Sequence, residues 1–401
     1  MYKRVLFLYH TATVGGGSYC LLNILKHMDR KRIIPYVLLR NHGPLVNEIE
    51  KLGIEVKFLS SLRTVPYNAS TIRLKALCNA ISILQSMNEL KNIIHQMKID
   101  VVYCNTMMLY PYLRVAKSCG CQTVLHIREH WPEGEHRWQR KIALKHIADY
   151  ADEIIAINRY SAAMVKPYNR MATIVYDWID LSTRYDYMPL SSIFSEDMGD
   201  KKVYMYMGGL QEIKGALQVI NAFTNHIKDS NSRLLVLGVD PNYRSYGLKG
   251  FVKKCLKLIN RESYSDQVVR LINSDSRIKC IDGVYNIRHL YEQVYCVISY
   301  FTIPHANLAL AESIICNTVN VAAVTDESLE YSLEGKLALL YEENNFEEFI
   351  NSIKLVDTQY IILKEEMAKS SYIIKQMFAP DINIQKLNTV IEKLYEKGIV
   401  S

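Results

Sequence analysis

Residues Met207-Gly208-Gly209-Leu210-Gln211-Glu212-Ile213-Lys214-Gly215 constrain this chain more than any other stretch. They end the apolar run Val203 to Met207 and lead into a helical pattern, Leu217 to Phe223. A strand that turns through glycines and one lysine into a helix offers an anion both free backbone N–H groups and a cation. The expectation is a phosphorylated ligand near the middle of the chain. A second glycine run, Gly15-Gly16-Gly17-Ser18, follows the apolar run Val5 to Tyr9 and opens another helical pattern, Leu21 to Met28. One such turn in each half predicts two nucleotide-binding-like domains.

The spacing of apolar runs supports that division. In the first half they fall at Val5 to Tyr9, Tyr36 to Leu39, Val56 to Leu59, Val101 to Cys104, Thr123 to Ile127, Ile154 to Ile157 and Thr173 to Tyr176. Helical patterns separate them, with one long interval between Ser70 and Met97. This rhythm predicts an α/β fold with a parallel sheet covered on both faces. The polar stretch from Asp177 to Lys202, with Pro189 and several serines, is the expected domain boundary. Beyond it, Val203 to Met207, Leu234 to Leu237, Ile278 to Ile281, Cys296 to Tyr300, Val319 to Val324 and Leu337 to Tyr341 predict a second doubly wound sheet. The basic segment from Asn242 to Ser276, with Lys249, Lys253, Lys254 and Lys257, reads as a long solvated crossover or an insertion. The tail, Ile382 to Ile399, reads as a helix that returns to brace the first domain.

Composition narrows the class of function. A chain of 401 residues with 49% hydrophobic content can bury two cores. No apolar run reaches the roughly 18 residues that a membrane span requires, and Val5 to Tyr9 is too short for a secretory signal; the expectation is a cytoplasmic protein. The nine cysteines show no C-x-x-C pair, which argues against a disulfide framework or a zinc site. A net charge of +7 against 41 acidic residues does not demand nucleic acid, although it favours anionic ligands or an anionic membrane face. The densest basic stretch is His136-Arg137-Trp138-Gln139-Arg140-Lys141, with Lys145 and His146 beyond it. With Ile142 and Leu144 it reads either as an interfacial amphipathic helix, giving peripheral contact with an anionic membrane, or as a plain solvated helix face.

Taken together, the motifs resemble the family 4 glycosyltransferases of the GT-B type. Gly15-Gly16-Gly17-Ser18-Tyr19 looks like that family's N-terminal glycine-rich loop, and Val124-Leu125-His126-Ile127-Arg128-Glu129 resembles the strand end before its acceptor loop. Ala151-Asp152-Glu153-Ile154-Ile155-Ala156-Ile157-Asn158 is similar to its "ADxIIAxS" strand. Gly208-Gly209-Leu210 with Lys214-Gly215 matches the "GRLxxxKG" donor-phosphate motif, and Ala311-Glu312-Ser313 falls where the last glutamate of the E-x7-E signature lies. Two positions depart from the pattern. Gly209 stands where many members carry a phosphate-contacting arginine, and Pro304, beside His305, stands in place of the first signature glutamate. The second departure means that His305 or Asn307 substitutes for that carboxylate, that the donor sugar differs, or that activity is reduced.

The resemblance implies a GT-B fold, two Rossmann-like doubly wound domains facing an interdomain cleft. The acceptor-binding domain would span residues 1–180 and the donor-binding domain 200–380, with 381–401 a helix packing back on the first. It implies a metal-independent, retaining transfer of a sugar from a UDP- or GDP-sugar to a glycan or lipid-linked acceptor in surface polysaccharide biosynthesis. No metal or other cofactor is expected, since no cluster of Asp, His or Cys has ligand spacing. The implied catalytic residues are His126, Lys214 and His305, and the donor contacts are Gly16, Gly17, Gly208, Gly209, Lys214, Asn307, Leu308 and Glu312. Asn105, Arg128 and Glu129 are expected on the acceptor side.

Each of these residues also has a structural reading. Lys214 could be an ordinary lysine at a helix start, but the helix dipole disfavours a cation there unless an anion is present. Glu312 could be a solvated helix carboxylate, against which stand its apolar neighbours Ala309, Leu310, Ala311, Ile314 and Ile315. His126 could simply bond within the fold, and Arg128 with Glu129 could form a buried ion pair. Two rival functions remain open from sequence: a non-catalytic nucleotide-sugar-binding GT-B protein, and a GT-B nucleotide-sugar epimerase, which would leave the glycines at 15 to 17 without a job.

Overall fold

The computed structural model describes residues 2–13, 15–65, 73–134, 137–179, 187–240, 263–283, 287–303 and 306–397. The chain divides into two compact units, one of residues 1–178 with 378–401, the other of residues 179–377. The expected basic crossover falls mostly outside the described residues; its end forms the helix Tyr264–Ser274.

The first unit holds a parallel sheet of β1 (Lys3–Leu8), β2 (Ile33–Leu39), β3 (Glu55–Phe58), β4 (Val101–Cys104), β5 (Gln122–Ile127), β6 (Glu153–Ala156) and β7 (Thr173–Ile174). Their order is β3-β2-β1-β4-β5-β6-β7. Central strands are buried on both faces, as apolar runs without alternation require: Val101 to Cys104 and Thr123 to Ile127 are buried throughout. β2 begins three residues before the apolar run at Tyr36. Pro35 is tolerated inside it because β3 pairs only from Tyr36 onward, leaving Pro35 beside β1 alone. The last helix, Pro380–Lys397, belongs to this unit. It packs Leu387, Val390, Ile391 and Leu394 into the core formed by Val5, Phe7 and Val37, and Asn383 accepts a hydrogen bond from the Tyr176 amide at 2.9 Å.

The second unit repeats the plan with β8 (Lys202–Tyr206), β9 (Ser232–Leu237), β10 (Ile278–Ile281), β11 (Cys296–Ile298), β12 (Val319–Ala323) and β13 (Leu339–Tyr341), in the order β10-β9-β8-β11-β12-β13. Part of the polar stretch before β8 is built into this unit. The short helix Leu190–Phe194 buries Leu190 and Phe194 against Met205, Leu235 and Tyr291. In both sheets the strand order reverses beside the first strand, between β1 and β4 and between β8 and β11. Ligands of doubly wound sheets bind beyond the carboxyl ends of the strands at such reversals.

Candidate active site

In the second unit the turn after β8 carries the motif. Gly209 has φ +57°, donates its N–H to the Leu237 carbonyl at 3.1 Å, and leaves so little room that a Cβ would stand 2.8 Å from the Gly238 carbonyl oxygen. Gly215 has φ +65° and lies against the end of β11, where a Cβ would sit 2.1 Å from the Tyr300 carbonyl oxygen. Both positions need glycine for backbone reasons. An arginine at Gly209 would require the turn to move away from β9, so this backbone is built without that clamp.

Lys214 ends the short 3-10 turn Glu212–Lys214 and is half-buried. Its ammonium meets no carboxylate among the described residues, and burial lowers its pKa. A desolvated cation without an anion is an unfinished interaction, which a phosphate would complete. The adjoining helix, Ala216–His226, contributes less than the sequence suggests. Its Leu217 amide is already bonded to the Tyr264 hydroxyl at 3.2 Å, so that amide is not free for a ligand.

Glu312 lies on the helix Leu308–Ile315, which follows β11. Tyr291 donates its hydroxyl to Glu312 Oε2 at 2.8 Å and also lies 3.2 Å from the Met207 sulfur, joining this helix to the end of β8. The other oxygen, Oε1, accepts no hydrogen bond among the described residues. Burial raises the Glu312 pKa to about 7, and the Tyr291 hydrogen bond only partly offsets it. Asn307 is buried, and its side-chain amide donates to Ser299 Oγ at 3.0 Å, so it fastens the helix start to the end of β11. Leu308 opens that helix. Gly208 lies over the Tyr206 ring, where a Cβ would stand 1.8 Å from the hydroxyl oxygen. His305 and Pro304 lie outside the described residues.

In the first unit one buried polar chain joins the ends of β4 and β5. Arg128 donates from Nη1 to Asp177 at 2.6 Å, from Nε to Asn105 Oδ1 at 3.1 Å and from Nη2 to His126 Nδ1 at 3.3 Å. Burial alone would pull the Arg128 pKa down, but Asp177, Cys20 and Tyr103 outweigh it and leave the pKa raised. Since a guanidinium can only donate, Nδ1 of His126 is an acceptor, a role it also fills for the Tyr103 hydroxyl at 2.8 Å. The imidazole therefore carries its proton on Nε2. Burial first, and then Arg128, push its pKa well below the usual histidine value. Two buried donors, His126 Nε2 and Asn105 Nδ2, have no partner among the described residues.

Arg128 and Glu129 do not pair with each other, as one reading of the sequence allowed. Glu129 accepts from Thr106 and from the Met107 and Arg128 amides, both at 3.0 Å, and so stabilises the turn after β4. The missed partner, Asp177, lies 49 residues from Arg128 in what reads as a linker, and no local pattern signals it. Gly16 has open space around it, whereas Gly17 makes room for the Tyr9 hydroxyl, 2.7 Å from a Cβ built there. Among the described residues no group of three His, Cys, Asp or Glu side chains could hold a metal ion.

Residues 14–183 match the family model of Glycosyltransferase Family 4. Solved structures similar over nearly the whole chain include HepE from Anabaena in complex with UDP-glucose, with 19% identity, a TM-score of 0.72, and 98% of this chain and 100% of that one covered. Sucrose-phosphate synthase from Thermosynechococcus elongatus shares 11% identity at a TM-score of 0.68, covering 98% and 100%. A mutant of TarM from S. aureus, in complex with fondaparinux, α-GlcNAc-glycerol and UDP, shares 10% identity at a TM-score of 0.68, covering 97% and 99%. At these identities the likeness establishes the fold, the GT-B architecture expected from the sequence. No curated protein matches the sequence.

Proposed function

We propose that this chain, which carries a Glycosyltransferase Family 4 domain in its first half, is a retaining, metal-independent glycosyltransferase that moves a sugar from a UDP- or GDP-sugar to a glycan or lipid-linked acceptor in surface polysaccharide biosynthesis. The observation that carries this reading is Lys214, a half-buried cation that pairs with no carboxylate among the described residues, set where the strand order of the second sheet reverses. Breaking the anomeric bond builds negative charge on the departing diphosphate, and a fixed ammonium stabilises it without a metal. Glu312 supplies an acceptor for ribose hydroxyls. His126 Nε2–H and Asn105 Nδ2 offer donors to a sugar oxygen. In a retaining transfer the departing phosphate takes the proton of the acceptor hydroxyl, so this reading requires no side-chain base.

The test is release of nucleoside diphosphate from a panel of UDP- and GDP-sugars, with and without glycan and lipid-linked acceptors. Acceptor-dependent release that persists in EDTA is the expected result. Release without any acceptor requirement, accompanied by sugar isomerisation, would identify an epimerase, and no turnover with any donor would identify a binding protein. A stop in turnover on chelation would end the metal-free mechanism.

The acceptor reading gains support from the helix Arg137–Tyr150. Trp138, Lys141, Ile142 and Lys145 recur at helical spacing on one exposed stripe, with Trp138 66% and Ile142 53% exposed. Arg140 is not part of that stripe: it donates to the Trp131 carbonyl at 3.0 Å and pairs with Glu133. Lys145 also reaches Asp149 at 3.0 Å, an exposed pair that salt and competing anions weaken. No helix among the described residues is long and apolar enough to cross a membrane. The proposal is a cytoplasmic enzyme in reversible contact with the anionic face of the membrane. Each lysine near such a surface contributes about 1 kcal/mol, screened over roughly 10 Å at 0.1 M salt. Anionic vesicles should therefore sediment part of the protein at low ionic strength and release it in salt, and Trp138→Ser with Ile142→Ser should abolish the effect. Failure of the unmodified protein to sediment would favour a soluble acceptor.

A further inference from the structure

The phosphate reading rests on one ammonium, and a flexible lysine is useful there only if its backbone is fixed. Among the contacts that hold the turn that carries it, three lie close to the lysine. Tyr206, the last residue of β8, is 1% exposed and donates its hydroxyl to the Lys214 carbonyl at 2.9 Å. From the other side, the Thr302 amide, beyond β11, donates to the Ile213 carbonyl at 3.0 Å. On the chain's exit into the helix Ala216–His226, the Tyr264 hydroxyl accepts from the Leu217 amide.

Of the three, the Tyr206 contact is the one built into the motif. The chain runs from Tyr206 through Met207 to Gly208, turns, and returns at Lys214 to meet the tyrosine's own hydroxyl. Gly208 has no side chain to obstruct that return: a Cβ there would fall 1.8 Å from the hydroxyl oxygen and 2.2 Å from the ring carbon that bears it. The first glycine of the motif therefore serves the tyrosine beneath the turn, and the tyrosine serves the lysine at its end. Burial holds the Tyr206 pKa well above the usual tyrosine value, so the hydroxyl stays protonated and keeps donating.

We infer that Tyr206 is a positioning residue for Lys214: its hydroxyl fixes the Lys214 carbonyl and thereby aims the ammonium at the departing diphosphate. This rests on the assignment of Lys214 given above. Tyr206 touches no substrate in this scheme, and its loss acts through the lysine. An ammonium that samples several positions still meets a bound diphosphate in the ground state but stabilises the transition state less, because a displacement near 1 Å can cost up to about a hundredfold in rate.

The experiment is a double-mutant cycle on donor turnover with Tyr206→Phe, Lys214→Ala and the combination, each checked for an intact fold by thermal melting. Tyr206→Phe should lower kcat roughly tenfold and leave KM for the donor within about twofold, since only the transition-state contact is weakened. In the Lys214→Ala background the same change should cost nothing further, because the group it positions is gone. Binding of inorganic pyrophosphate, measured by calorimetry on the same four proteins, gives a readout that does not depend on turnover: Lys214→Ala should weaken it, and Tyr206→Phe should leave it within about twofold in either background. Independent, multiplying losses would overturn the inference, as would Tyr206→Phe with full activity beside an inactive Lys214→Ala; the latter leaves the phosphate assignment standing. Full activity of Lys214→Ala would instead remove that assignment, and the inference with it.

Discussion

Lys214→Ala is expected to cut transfer about a hundredfold or more while leaving the fold intact. The side chain makes no ion pair among the described residues, so its removal breaks no stabilising contact there, and burial of an uncompensated cation means that the folded protein without ligand loses little by the change. What it loses is a charge-assisted contact that strengthens as the diphosphate departs, of order 3 kcal/mol. Initial rates at saturating donor, together with thermal melting, check the prediction. Near-normal turnover would end the phosphate assignment.

Glu312→Gln is expected to move stability and donor affinity in opposite directions. The buried carboxyl has a pKa of about 7 in the folded chain against an ordinary value of 4.5. Between those two pH values the unfolded chain has released its proton and the folded chain has kept it, so stability falls as pH rises through this window, and the full penalty, roughly 3 kcal/mol, is present above pH 7. Glutamine removes the ionisation. The variant should thus melt several degrees higher than the parent at pH 8 and show little change near pH 4. Donor affinity should instead drop by about 1.5 to 3 kcal/mol at pH 8, where the ribose hydroxyls lose an ionised acceptor. In the parent that affinity should rise from pH 6 to pH 8, whereas in the variant it should stay flat. Unchanged affinity would make Glu312 a helix carboxylate and nothing more.

The fold was legible because parallel strands buried on two faces leave continuous apolar runs. All thirteen strands of the two sheets lie on runs visible in the sequence. Their limits shifted where pairing decides: Pro35 lies within β2 because β3 does not reach it. The polar stretch before β8 concealed Leu190 and Phe194, two apolar residues too few to form a periodic pattern yet sufficient to pack a helix on the sheet. At the site, local motifs announced Lys214, Glu312 and His126, but their partners come from afar. Tyr291 and Asp177 reach Glu312 and Arg128 across 21 and 49 residues, and nothing in the sequence near either end marks such a pairing. The glycines were the least transparent. Sequence suggests that they admit a phosphate and does not announce that Gly208, Gly209 and Gly215 each also make room for a neighbouring part of the protein.

The tautomer of His126 has a consequence for how this protein tolerates its surroundings. Because Arg128 and Tyr103 occupy Nδ1, the imidazole presents one permanent N–H and no lone pair, and burial keeps it from gaining a second proton. It is a fixed dipole and cannot serve as a proton shuttle. Recognition through it would hold steady as pH drifts, whereas in the other unit Glu312 titrates near neutrality. A contact made through His126 would be constant with acidity, and one made through Glu312 adjustable.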